Sequence, residues 1–70
     1  MTLELDCRGQ ICPLPVITLA RRIAEVPVGS TVTVLSDDPA AATDIPAWCR
    51  MRNQELVSVS AERYVVRRLI

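Results

Sequence analysis

Two prolines one residue apart, in Cys12-Pro13-Leu14-Pro15, restrict where the first helix of this chain can begin. Proline has no N–H and clashes with the turn before it inside a helix, so a pair this close is tolerated only in the first turn. The spacing predicts Pro13 at the first helical position, Pro15 at the third, and Cys12 as the N-cap. A residue before proline is driven towards extended backbone, the conformation an N-cap adopts. Beyond the prolines, Val16, Leu19, Ala20 and Ile23 fall at i, i+3, i+4 and i+7 and predict one apolar helix face. Thr18, Arg21, Arg22 and Glu25 take the other side, and Val26-Pro27 ends the helix.

The other segments switch between two periods. Thr2–Asp6 alternates, with Leu3 and Leu5 inward, and predicts a strand; Cys7-Arg8-Gly9-Gln10 is the turn out of it, with Gly9 free to take a positive φ. Ser30–Leu35 is β-branched and alternating, a second strand. Asp37-Asp38-Pro39 then reads as an acidic cap followed by proline at the first helical position. The second helix is expected to reach about Arg52, with Ala41, Ile45, Trp48 and Cys49 inward. Pro46 should kink that helix or restart it after Asp44. Leu56–Ser60 and Tyr64–Ile70 are two more strands, joined by a short connection, Ala61-Glu62-Arg63, that lacks glycine. The order βαβαββ, with a right-handed crossover making the first two strands parallel, predicts an α+β two-layer sandwich. Two helices pack on one face of a four-stranded mixed sheet, and the other face is partly open to solvent.

Seventy residues make a single domain, 1–70, with a small core. Half the residues are hydrophobic, which suits a packed domain. The eight basic residues are all arginine, and eight acids balance them, so no net charge draws the chain to nucleic acid. With no histidine there is no imidazole base and no histidine metal ligand, and three scattered cysteines lack the paired spacing of a zinc site. No metal or cofactor is therefore expected. No apolar run spans a membrane and no signal-peptide pattern opens the chain, so the expected home is the reducing cytoplasm.

Cys12 is the candidate nucleophile. A thiol at a helix N-terminus feels a partial positive charge, which favours the thiolate. Because the prolines delete two N–H donors, the expected lowering from the free value of ~8.5 is modest. The bland alternative is a buried thiol that happens to cap a helix. Cys49 reads as core filler beside Ile45 and Trp48, whereas Cys7, five positions before Cys12, could be a resolving thiol. Arg8 could steady a thiolate or meet an acidic partner, or simply be solvated. Asp37, Asp38 and Asp44 read as caps and turn formers before acid–base groups, although Asp37 and Asp38 could contribute to a second part of the site.

Leu5-Asp6-Cys7-Arg8-Gly9, Cys12-Pro13-Leu14-Pro15, Asp37-Asp38-Pro39 and Asp44-Ile45-Pro46, with Cys49 just after, together resemble the TusA-type, or SirA-like, family of small sulfur carriers. The resemblance covers nearly the whole chain and implies the same βαβαββ sandwich. It also implies a persulfide carried on the motif cysteine, Cys12, with Arg8, Gly9, Pro13, Leu14 and Pro15 as its supporting motif. Sulfur would arrive from a cysteine desulfurase or a rhodanese-like donor. It would leave to an acceptor protein serving tRNA thiolation, molybdenum cofactor supply or sulfur oxidation. The tRNA-thiolation members carry an acidic residue where this chain has Leu14. Neither nucleic acid nor membrane is an expected partner. The competing readings are a thiol redox module using Cys12 with Cys7, and a regulatory binding module whose motif cysteine is dispensable.

Overall fold

A computed structural model describes residues 2–70. The elements are β1 (Thr2–Asp6), α1 (Leu14–Arg22), a 3-10 turn (Ile23–Glu25), β2 (Thr31–Leu35), α2 (Ala41–Arg52), β3 (Glu55–Ser60) and β4 (Arg63–Arg67). The sheet order is β1-β2-β4-β3, with β1 and β2 parallel and the other neighbours antiparallel. The expected α+β sandwich is therefore present, with the element order read from the sequence.

The inner face of the sheet presents Leu5, Val32, Val34, Tyr64 and Val66, all buried, against Leu19 and Ile23 of the first helical segment and Ala41, Ile45, Trp48 and Cys49 of α2. The α2 face is the one its spacing predicts. On α1 the buried stripe is Pro15 and Leu19, continued by Ile23; Val16 is half-buried and Ala20 is exposed. The predicted Ala20 contact is thus replaced by Pro15: the buried row runs i, i+4, i+8 through Pro15, Leu19 and Ile23, and Ala20 lies to the side of it.

The outer face is covered by short side chains and ion pairs along rows of paired residues. Thr2 and Thr31 share a hydroxyl hydrogen bond, and Arg67 bonds Glu55 at 2.9 Å, in one row. Cross-strand pairs of these kinds let a sheet face water on one side. β3 is an edge strand whose Val57 and Val59 stay exposed and whose register slips between Leu56 and Ser58. Such a bulge bends an edge strand and interrupts the ladder locally, and the pairing resumes at Ser58.

Three local expectations are corrected. Helix α1 stops at Arg22 and tightens into the 3-10 turn before Pro27. Helix α2 starts at Ala41 rather than at Pro39 and runs through Pro46 without restarting. The proline removes the bond to the Ala42 carbonyl, but Ala42 is exposed, so water can replace it. Between β3 and β4, Ala61 takes the left-handed conformation (φ 52°) that a glycine would otherwise supply, and Arg63 joins the strand instead of the turn.

Candidate functional site

The site lies where the β1–α1 loop meets the start of α2. Gly9 turns the loop at φ +84°, with nothing close to its Cα that a side chain would strike. Two aspartates from the β2–α2 loop hold this loop in place. Asp37 Oδ1 accepts the Gly9 N–H at 3.0 Å, and Asp38 Oδ2 accepts the Cys12 N–H at 2.5 Å. Asp38 also caps its own turn, its Oδ1 accepting the Ala40 N–H and its carbonyl the Ala41 N–H. These N–H donors hold the Asp38 carboxyl below its ordinary pKa, the Ala40 bond contributing most.

The helix entrance differs from expectation. Pro13 is the N-cap, Leu14 the first helical residue and Pro15 the second, and the Cys12–Pro13 peptide is cis. The Leu14 N–H donates to the Ile11 carbonyl at 2.9 Å, closing a turn around Cys12 and Pro13. That donor is thereby withdrawn from the sulfur, which lies outside the helix mouth instead of capping it. Leu14 is itself exposed, and Pro15 packs in the core.

The Cys12 side chain is exposed and reaches across to α2, its Sγ donating to Asp44 Oδ2 at 2.5 Å. Asp44 is the fourth residue of α2, so it is neither the cap nor the turn former its sequence position suggested. Its carboxylate favours the protonated thiol, first through the hydrogen bond and then through its charge, with a further push from Asp38. The Cys12 pKa is therefore raised above the ordinary thiol value. The modest lowering expected from the helix dipole is overturned: a carboxylate in contact outweighs half a charge whose nearest donor is already paired.

Pro13 and Val16 of the α1 segment, with Asp44, Ala47, Trp48 and Met51 of α2, complete an open, mainly apolar groove along which Cys12 sits. Ile11 and Leu14, which flank Cys12-Pro13 in the chain, are exposed apolar side chains. On α2 the lining residues fall at i, i+3, i+4 and i+7, a stripe visible in the sequence but overlapping the core stripe at Trp48. Only the tertiary placement, across 32 positions of chain, shows that this stripe faces Cys12.

The remaining sequence candidates divide clearly. Arg8 is engaged by Asp6 through two side-chain bonds of 2.9 and 2.7 Å, so it does not attend the thiol. Cys7 is only 1% exposed, on the core side of the loop. Burial raises its pKa, partly offset by a hydrogen bond with Thr18. Cys49 is likewise buried and raised by desolvation. All three thiols are free. Among the described residues, no group of acidic and cysteine side chains is arranged to hold a metal ion, and no helix is long and apolar enough to cross a membrane.

Comparison with known proteins finds both a family model and curated relatives that match. A family model described as "Sulfurtransferase TusA" matches residues 3–69. A protein of Archaeoglobus fulgidus named "Putative sulfur carrier protein" is 41% identical over 69 residues, covering 93% of this chain and 94% of that protein.

Proposed function

Because the chain belongs to the sulfurtransferase TusA family, we propose that it is a sulfur carrier that holds sulfur as a persulfide on Cys12. The observation that carries this reading is a contrast between thiols: Cys12 is exposed beside an open groove, while Cys7 and Cys49 are buried. Thiol exchange requires access for the incoming sulfur, and only Cys12 offers it.

The cycle has two displacements. The Cys12 thiolate attacks the outer sulfur of a donor persulfide. A bond forms between Cys12 Sγ and that sulfur, the donor's own S–S bond breaks, and the donor leaves as a thiolate that takes a proton. In the second step an acceptor thiolate attacks the terminal sulfur of the Cys12 persulfide. The new S–S bond forms on the acceptor, and Cys12 departs as thiolate. No net oxidant or reductant is consumed, because the sulfur moves between thiols at constant oxidation level. The donor is a cysteine desulfurase or rhodanese-like protein, and the acceptor is a protein thiol in tRNA thiolation, molybdenum cofactor supply or sulfur oxidation. The cycle suits the reducing cytoplasm, where exposed thiols remain free.

Incubation with a small-molecule persulfide, followed by intact-protein and peptide mass spectrometry, tests the reading. The expected result is one added sulfur atom on the peptide containing Cys12, lost on reduction. Cys12→Ser should take up none while keeping the wild-type thermal midpoint. Uptake by the serine variant at the wild-type rate would sink the assignment. The burial of Cys7 also speaks against a Cys7–Cys12 redox pair.

A further inference from the structure

A carrier thiol reacts as its thiolate, yet Cys12 Sγ donates to Asp44 Oδ2 at 2.5 Å, and the charged groups acting on the sulfur are the Asp44 and Asp38 carboxylates. Among the described residues, no cationic side chain acts on the sulfur to offset them. The chain has no lysine and no histidine. In the β1–α1 loop, Arg8 is bound to Asp6. From the β2–α2 loop come only Asp37, bound to the Gly9 N–H, and Asp38, bound to the Cys12 N–H. The α1 segment lines the groove with Pro13 and Val16 alone, and Arg22 is paired with Glu25. On α2, Asp44 is the one charged residue in the groove lining.

We propose that Asp44 keeps Cys12 as a resting thiol, and that a guanidinium or ammonium group of the docking sulfur donor, pairing with the Asp44 carboxylate, releases it as the thiolate. The proton passes to solvent; no other bond changes until the displacement described above. This inference rests on the carrier reading for its partner, but the Asp44–Cys12 coupling stands by itself.

The groove suits such a side chain. Its walls of Pro13, Val16, Ala47, Trp48 and Met51 are apolar, with the Asp44 carboxylate set among them. The methylene stem of arginine or lysine packs well along apolar surface while its head meets a charge. An acidic or neutral donor tip would leave the carboxylate free to hold the proton on sulfur. The arrangement therefore selects donors by charge. It also keeps the unoccupied carrier in its least oxidisable form, since oxidation follows thiolate character.

Alkylation of the folded full chain reads the coupling without any donor protein. The probes are neutral iodoacetamide, anionic iodoacetate and cationic 2-bromoethylamine, with peptide mass spectrometry to follow Cys12. Asp44→Asn removes a negative neighbour, so the thiol pKa should fall. Each unit of fall gives about tenfold more thiolate at neutral pH. The expected result is a several-fold faster reaction with iodoacetamide at pH 7 and a lower midpoint in its pH profile. Iodoacetate should gain more than iodoacetamide, and 2-bromoethylamine should gain least. Asp44→Glu should keep the wild-type order of charge preference.

An unchanged iodoacetamide profile in Asp44→Asn, or an identical gain for all three reagents, overturns the proposal. Should Asp44→Asn fail to fold, the wild type decides. Raising the salt concentration must shrink its preference for the cationic over the anionic reagent, and a salt-independent preference overturns the proposal. A wild-type Cys12 that accepts no sulfur from a persulfide removes the carrier reading separately, because the alkylation ratios do not depend on it.

Discussion

Ala61 adopts φ 52° at the tip of the β3–β4 hairpin, where Ser60 and Arg63 pair directly across a two-residue turn. A Cβ in the left-handed region costs roughly 1–2 kcal/mol, and alanine has no side-chain hydrogen bond to offset it. The turn is nevertheless closed, because the short connection leaves the chain no other way to keep this register. The adjoining Glu62 carbonyl also accepts the Ser36 N–H at 2.9 Å, fixing the hairpin tip to the end of β2. Ala61→Gly removes the strain but gives the unfolded chain more freedom, which takes back part of the gain. The expected net effect is a stabilisation of about 0.5 kcal/mol. Urea denaturation should show a higher midpoint with an unchanged slope; a lower midpoint would mean that the strain is absorbed elsewhere.

Between elements, the site depends on how the β1–α1 and β2–α2 loops are joined at the C-terminal ends of the parallel strands β1 and β2. Asp38 makes that join with one carboxylate, holding the Cys12 N–H on one oxygen and the Ala40 N–H on the other. Replacing Asp38 with Ala frees both donors. Amide exchange at Cys12 and Ala40 should accelerate, while the β2–β4 ladder keeps its protection. Cys12 should also alkylate faster, because a negative neighbour is gone. Equal loss of protection throughout the sheet would instead make Asp38 a global determinant of stability. The sequence discloses elements better than it discloses this join. The periods of Thr31–Leu35 and of Ala41, Ile45, Trp48 and Cys49 are local, and they name the strand and the buried helix face directly. The exposed cysteine is legible from its prolines. The reach of Asp44 to Cys12 is not, because it depends on how two helices lie side by side on the sheet. The same cause reverses the sign of the Cys12 pKa shift: the local dipole can be read from the chain, while the opposing carboxylate arrives from 32 residues away.

Over the whole molecule, folding shifts carboxyl groups and buried thiols in opposite senses. Asp6, bound to Arg8, is held at about 2, and Asp38 and Glu25 are also lowered by their hydrogen-bonding partners. A carboxyl group depressed by folding adds stability above its unfolded pKa, near 4, and loses it as pH falls towards its folded value. Cys7 and Cys49 behave in the opposite sense. Burial raises both, so below their unfolded pKa, near 8.5, they are protonated in either state. Above it the unfolded chain ionises first, and stability falls as pH rises. Histidine is absent, so no imidazole titrates between these limits. The thermal midpoint should therefore be nearly flat from about pH 5 to 8 and fall on both sides. The limbs can be separated by substitution. Cys49→Ala should flatten the alkaline limb and leave the acid limb unchanged, although it lowers the plateau by removing packed volume beside Ile45 and Trp48. Asp6→Asn should flatten the acid limb only slightly, because an exposed ion pair contributes little. An alkaline limb as steep in the Cys49→Ala and Cys7→Ala variants as in the wild type would show that the buried thiols are not its source.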